Sequence, residues 1–513
     1  MKFSFRFLCC SAASLCWAVL SPCATADVSL PAFFSDHMVL QRDMPVPVWG
    51  WAEPGEQVVV SIEKESKNAT ADGAGKWKVQ LGKLQSGAPA TLTVKGRNTV
   101  VINDVLIGEV WLCSGQSNMS MRVAESNDAA NEKAAANYPQ IRMFTVDSGA
   151  AGTPQEKCAG RWEVCSPASV GNFSAAAYFF GRDLHKGHGA PVGLINSSVG
   201  GTAIEAWTSQ EAMATQAELK PIFERWEKEV AAYEAPEARE RFEAETLAWK
   251  ALVEKAKAEN KPAPRGPKRA GRSRLDPNHP ANLFNGKIAP LIPYAMRGAI
   301  WYQGEANAGN GPLYAKQLPL LINDWRARWQ QGDFPFAWVQ LPNFMARTAE
   351  PGVQSGWALV RESMLRTLSL PNTGMSVNID IGEEGNIHPK NKQEIGRRLS
   401  LWALAKVYGK EIPYSGPLYE KQEINGSEVV LSFKHTEGGL VAKEGELKGF
   451  AVAGADRKWV WATAKIVGEK VVVSMPDIKE PVAVRYAWAN NPEANLTNQS
   501  GLPASPFRTD DWQ

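Results

Sequence analysis

The sequence predicts an α/β protein, a largely parallel sheet with helices between its strands, flanked by β domains on both sides. Three observations carry that expectation. Short apolar strands in the middle of the chain end in Gly-rich, polar turns and are separated by helical segments, the pattern of a parallel sheet. The stretch before them alternates apolar and polar residues, with turn signals about every ten residues, as in a small sandwich. After Tyr408-Gly409 the helical signal ends and alternation returns. A length of 513 residues agrees, since it suggests about three domains.

Residues 1–26 read as a signal peptide. Lys2 and Arg6 precede an apolar run from Phe7 to Leu20, and Ala24-Thr25-Ala26 offers a small-x-small cleavage site. The expected mature chain starts near Asp27 and is exported, to the periplasm or beyond. A lipoprotein would use Cys23, but Pro22 directly before it fits that reading poorly. No later segment has about 18 unbroken apolar residues, so no membrane-spanning helix is expected.

Residues 27–106 form the expected N-terminal β-sandwich, with strands at Val46–Trp49, Val58–Ile62, Trp77–Leu81 and Ala90–Val94. Residues 107–411 form the α/β domain. Its expected strands are Glu109–Ser114, Pro191–Ile195, Arg297–Tyr302, Phe336–Gln340 and Ser376–Asp380. An insert at 209–275 interrupts it. There Ile222, Trp226, Val230 and Tyr233, then Phe242, Trp249 and Val253, recur at helical spacing, which predicts two charged amphipathic helices broken near Pro236. Lys261 to Arg274 holds six basic residues, three Pro and no acid. That run reads as a solvated linker rather than a site for an anionic partner. Residues 412–513 form a second β domain, with strands at Glu428–Phe433, Lys470–Ser474 and Val482–Trp488.

Charge excludes some functions. Lys and Arg total 56 against 54 Asp and Glu, without the basic excess of a nucleic-acid binder. The 19 Trp suit sugar platforms as well as core packing. Beyond the leader only Cys113, Cys158 and Cys165 remain. Their spacing is not a metal pattern, and export makes a Cys158–Cys165 disulfide the expected pair.

Of six His, two lie in β regions, His185 and His188 sit in a polar turn, and His279 stands in an extended loop. His388 differs: it lies between the strand ending near Ile381 and a clear helix (Ile395, Leu399, Trp402), where a general base is useful. Ser117 is the matching nucleophile. Gly115-Gln116-Ser117-Asn118-Met119 follows a strand directly, so the Ser117 N–H opens a helical turn and can face a developing oxyanion. Met119 stands where a nucleophile elbow needs Gly, which disfavours an ordinary α/β-hydrolase. Gly200-Gly201 follows another strand and permits close backbone approach, and Gln303 offers a neutral amide donor.

The blocks Gly-Gln-Ser-Asn-Met (115–119), Ser-x-Gly-Gly-Thr-x-x-Glu-x-Trp (198–207), Trp-Tyr-Gln-Gly-Glu-x-Asn (301–307) and Ile-His-Pro-x-x-Lys (387–392) resemble those of the sialate O-acetylesterase family, within the SGNH superfamily of serine esterases. The resemblance runs from about Leu30 to the C-terminus, apart from the insert. It implies a three-layer αβα catalytic domain that removes O-acetyl groups from sugars without a metal or other cofactor. Ser117 would be the nucleophile, His388 its base, and Gly201 (or its neighbour Gly200) and Gln303 the oxyanion donors. Gln116, Asn118, Glu205, Trp207 and Glu305, in the same blocks, would bind substrate. The family's acid two or three residues before the His is missing, since Gly385 and Asn386 occupy those positions. Asp380, Glu383 or Glu384 would then orient the ring, with Glu384 preferred, or a Ser–His dyad would work with Asn386 or a carbonyl. Acetylated xylan or pectin is the alternative substrate, and a non-catalytic glycan-binding protein the alternative function.

Overall fold

One strand of 17 residues, Thr99–Gly115, belongs to both the N-terminal β region and the central sheet of this computed structural model, which describes Met1 and residues 27–352 and 355–512. The expected leader, including Cys23, lies outside the described residues. The first part of the strand pairs antiparallel with Ala90–Lys95, and from Leu106 onward it pairs parallel with Val39–Gln41 and then with the central strands. The boundary expected at 106/107 thus falls inside a continuous strand.

The central strands are β1 (Thr99–Gly115), β2 (Tyr138–Thr145), β3 (Trp162–Cys165), β4 (Val192–Ser198), β5 (Gly298–Tyr302), β6 (Phe336–Val339) and β7 (Thr373–Ser376). They lie in the order β7-β6-β5-β1-β4-β2-β3, and every neighbouring pair is parallel except β2–β3. The chain builds one side of β1 first and the other side from β5 onward. Strand order therefore reverses at β1, and a ligand crevice is expected at its carboxyl end.

The main helices are α1 (Ala175–His188), α2 (Lys220–Glu234), α3 (Pro236–Ala258), α4 (Gly311–Trp329), α5 (Gly356–Thr367) and α6 (Lys392–Lys406). Side chains alternate across the sheet. Trp111, Cys113, Ile300, Tyr302 and Val339 pack with Phe180 and Leu184 of α1 and Ile395 and Leu399 of α6. Leu112, Ala299, Trp301, Phe336 and Trp338 pack with Leu321 and Trp325 of α4 and Val360 and Met364 of α5. Burial on both faces explains why these strands read as continuous apolar runs. The C-terminal region adds two four-stranded sheets, one around Glu428–Lys434 and one around Phe450–Ala453. Buried Arg361 of α5 fastens it by donating to the carbonyls of Leu341, Pro342, Ala489 and Asn490.

Four local expectations are corrected. The strand expected at Ser376–Asp380 ends at Ser376, because the Asn378 amide turns back to donate to Ser376 O and Oγ and so breaks the extended chain. His185 and His188 lie in the last turn of α1, not in a free turn; the His188 ring packs against Tyr408. Cys158 and Cys165 are both free. Cys158 packs in the cluster with Phe144 and Trp162, Cys165 in the one with Tyr178 and Phe180, and burial pushes the thiols up to about 11 and about 12. The basic run after α3 is docked rather than solvated throughout: Arg269 stacks on Tyr233, and the Arg272 N–H donates to Glu229 O.

Within β1, where its pairing with β4 begins, Glu109 is fully buried. It accepts from Arg42 Nε (2.5 Å) in the N-terminal region, Arg297 Nε (2.7 Å) before β5, and Tyr408 OH (3.0 Å) after α6. Burial alone would raise its pKa, but Arg297 and Arg42 hold the carboxyl below its ordinary range. Removing one partner of a buried ion pair leaves charge uncompensated and costs about 3–5 kcal/mol. Glu109→Ala should lower the unfolding free energy by about that amount in denaturant titration, and a loss under ~1 kcal/mol would contradict this role.

Candidate active site

The candidate site lies at the carboxyl end of β1. Gly115 has φ +142°, and a Cβ there would run into the Tyr302 carbonyl of β5, so the strand can leave the sheet here only because the residue lacks one. Ser117 opens a single helical turn, Ser117–Ser120, where its own N–H has no intrahelical acceptor. His388 stands on the loop between β7 and α6. Its Nε2 lies 2.8 Å from Ser117 Oγ, within hydrogen-bonding distance.

The loop carrying His388 is held mainly through its backbone. Asn386 accepts from the His388 N–H (3.0 Å) and donates to the His388 carbonyl (2.8 Å). Glu383 accepts from the Asn386 amide and from the Lys390 N–H. Asp380 is engaged by Arg398 through two bonds of 2.7 Å. Glu384 is exposed, and no bond from its side chain reaches the imidazole among the described residues. The expected orienting role of Glu384 is therefore corrected: the loop turns its carboxylate outward. Asn386 likewise grips the backbone rather than the ring.

Beneath the pair lies a buried polar cluster centred on Asn118. Its amide donates to Ile387 O (3.0 Å) and to Glu305 Oε1 (2.5 Å), and its oxygen accepts from Lys392 Nζ (2.5 Å). Burial lowers Lys392 to about 7 and raises Glu305, whose carboxyl is buried. His388 is lowered by burial and then by the Lys392 charge, partly opposed by Glu125. Both shifts favour a neutral imidazole, the form able to accept a proton.

Gly200 borders Ser117: a Cβ on it would stand 3.5 Å from the Ser117 Cβ. Gly201 has φ +70°, with open space where a Cβ would project. Among the described residues the N–H groups of Ser117, Gly200 and Gly201 have no acceptor. Gln303 departs from expectation. Its amide nitrogen donates to Thr202 O (3.1 Å) and Asn307 Oδ1 (2.7 Å), and its oxygen accepts from Tyr314 OH (2.9 Å). One amide hydrogen is taken by the Thr202 carbonyl of the Gly200–Thr202 loop and the other by Asn307, so Gln303 has none left for an oxyanion. A buried amide finds protein partners, and these come from segments far apart in sequence.

The expected substrate residues divide similarly. Gln116 is buried and accepts from the Ala306 N–H, tying the Ser117 turn to the segment after β5. Asn118 and Glu305 belong to the cluster beneath the pair. Trp207 is fully buried, donates to Thr202 Oγ1 and packs edge-on against Trp301, so it is core rather than a sugar platform. Glu205 borders a cleft beside Gly201 and accepts from Asn307 and Gln317. Asn307 and Lys392, inside the quoted blocks, belong to the site without a role expected from the sequence. Each stands four positions after a singled-out residue, and that spacing was the available signal.

Comparison with known proteins gives the family. The family described as carbohydrate esterase, sialic acid-specific acetylesterase, matches residues 107–235 and 285–403. The sialate O-acetylesterase of Mus musculus is 30% identical over 538 residues, covering 93% of each chain. That of Homo sapiens is 29% identical over 523 residues, covering 93% of this chain and 91% of the human one. A carbohydrate acetylesterase from Xanthomonas citri, of known crystal structure, superposes with a TM-score of 0.80 at 37% identity, covering 94% of this chain and all of that one. With Ser117 and His388 in hydrogen-bonding distance at the switch point and relatives along nearly its whole length, the chain belongs to the sialate O-acetylesterase family and is a carboxylic ester hydrolase.

Proposed function

We propose that the protein is an exported serine esterase that removes O-acetyl groups from sialic acid, built on the three-layer αβα arrangement of SGNH enzymes. The observation that carries this reading is the 2.8 Å separation of Ser117 Oγ and His388 Nε2 at the carboxyl end of the central strand. Support for the layered arrangement is the pair of helix sets packed on opposite faces of the sheet. Support for export is the leader pattern of residues 1–26; among the described residues no helix is long and apolar enough to cross a membrane.

In this mechanism Ser117 Oγ attacks the acetyl carbonyl carbon while His388 Nε2 takes its proton. The carbonyl electron pair moves onto oxygen. The N–H groups of Ser117, Gly200 and Gly201 are the donors available to that oxyanion, and such a donor is worth about 2.7–4 kcal/mol. Collapse breaks the bond to the sugar oxygen, which takes the proton from His388. Water then repeats the attack on the acyl-serine and releases acetate. The ring works in a dyad, with its loop held by Asn386 and Asn118. Acetylated polysaccharide is the second reading, favoured by the likeness to the Xanthomonas citri carbohydrate acetylesterase.

Ser117→Ala should reduce p-nitrophenyl acetate turnover to background with an unchanged melting temperature; activity like wild type would contradict the mechanism. Acetate release from O-acetylated sialic acid should exceed release from acetyl-xylan, and the reverse order would favour the second reading. The pH profile has a definite sign. The neutral imidazole is active, so kcat/KM falls as pH drops through the His388 pKa, which is held below its ordinary 6.5. Lys392→Met removes a like charge, so the acid limb should move to higher pH; a limb that stays or moves down would contradict the coupling.

A further inference from the structure

The cleft beside Gly201 has a volume of about 570 Å³, and much of one wall is supplied by the insert. On the catalytic side it is lined by Glu205, Asn307 and Gln317. On the insert side it is lined by Arg225, Trp226 and Glu229 of α2 and by Arg272 of the returning basic run. The family match stops at residue 235 and resumes at 285, so Arg272 lies on a segment outside the matched pattern.

The charges of this cleft are unevenly answered. Buried Glu205 accepts from Asn307 (3.0 Å) and Gln317 (3.2 Å), and Arg225 stands 3.7 Å from its other oxygen. Glu229, at the rim, has its main-chain carbonyl bound to the Arg272 N–H. The Arg272 guanidinium lies 5.5 Å from the Trp226 ring centroid, and among the described residues no carboxylate pairs with it. Its neighbours in the run add positive charge, and the segment from Lys261 to Arg274 contains no acid. A planar guanidinium held beside an aromatic ring at the mouth of a cleft is suited to a carboxylate, which it can bind through two parallel N–H bonds.

We propose that the insert forms the sugar-reading wall of the site, with Arg272, assisted by Arg225, receiving a carboxylate carried by the acetylated sugar. This rests on the sialic acid reading above and deepens it: Ser117 and His388 act on the ester, and the insert recognises the acid group of the same molecule. The anionic-partner reading of the basic run, set aside on the sequence, applies here to one residue, because the fold brings Arg272 to the cleft while Arg269 and Arg274 are engaged by Tyr233 and Glu234.

The test compares acetate release from O-acetylated sialic acid and from its carboxyl methyl ester, with p-nitrophenyl acetate as a sugar-free reference. Wild type should prefer the free acid by about tenfold in kcat/KM, the size of one lost charge-assisted contact. Arg272→Gln should erase that preference, mainly by raising KM for the free acid. Arg225→Gln should reduce it, and Arg265→Gln, which removes a charge of the same run away from the cleft, should preserve it. Wild type that deacetylates acid and methyl ester equally, or Arg272→Gln that retains the preference, would overturn the inference while leaving the esterase reading standing. Turnover of p-nitrophenyl acetate with no release from either sialate would instead defeat the substrate reading, and this inference with it.

Discussion

Ser117 and His388 are separated by 271 residues of chain, and the closeness of their side chains depends on the carboxamide of Asn118. This group sits immediately after the serine and donates to the carbonyl of Ile387, immediately before the histidine. The same amide donates to Glu305, just beyond β5, while its oxygen accepts from Lys392 at the start of α6. Three loops that leave the sheet at the carboxyl ends of different strands are thereby held in one register. Because the cluster is buried, each of its bonds is stronger than in water, and a broken one would leave an unsatisfied polar group. Pre-organisation of this kind matters because a misplacement of about 1 Å can cost two orders of magnitude in rate.

The cluster also sets the electrostatics of the pair. Burial lowers the lysine to about 7 and raises the carboxyl, so Asn118 lies between two groups that the low-dielectric interior pushes toward neutrality. Lys392 in turn biases His388 toward the neutral form without touching its ring. Among the described residues no carboxylate reaches the second ring nitrogen of His388, so its loop carries the orientation. Here Asn386 clamps the residue's own N–H and C=O, and Asp380, tied to Arg398, anchors the start of the loop.

The sequence was informative where local pattern decides structure. Glu109–Ser114, Pro191–Ile195 and Arg297–Tyr302 announced themselves as strands because both faces are buried, and Ser117, Gly200 and Gln303 follow their ends. The break near Pro236 and the helices on either side of it were legible for similar reasons. The misses concern which partner a side chain finds. Gln303 was expected to face the substrate, yet Thr202, Asn307 and Tyr314 claim its amide. Trp207 stands in a motif and is nevertheless core, because Trp301 and Thr202 meet it there. Cys158 and Cys165 are close in sequence but pack in different clusters. Glu384 lost its expected role because it stands exposed on its loop, while neighbouring Glu383 accepts from Asn386 and the Lys390 N–H instead of the ring. Such outcomes depend on contacts between distant segments, which spacing within a motif does not encode.

The central claim is that Ser117 and His388 share a proton and that this makes the serine nucleophilic. The most direct measurement is the rate at which a fluorophosphonate modifies the protein, with the labelled residue located by peptide mass spectrometry, in wild type and in His388→Ala. The account predicts modification of Ser117 alone, slowed by two or more orders of magnitude when the imidazole is removed, in line with about 10²–10⁴-fold for a general base. Equal rates in the two proteins, or a label on a residue other than Ser117, would contradict it.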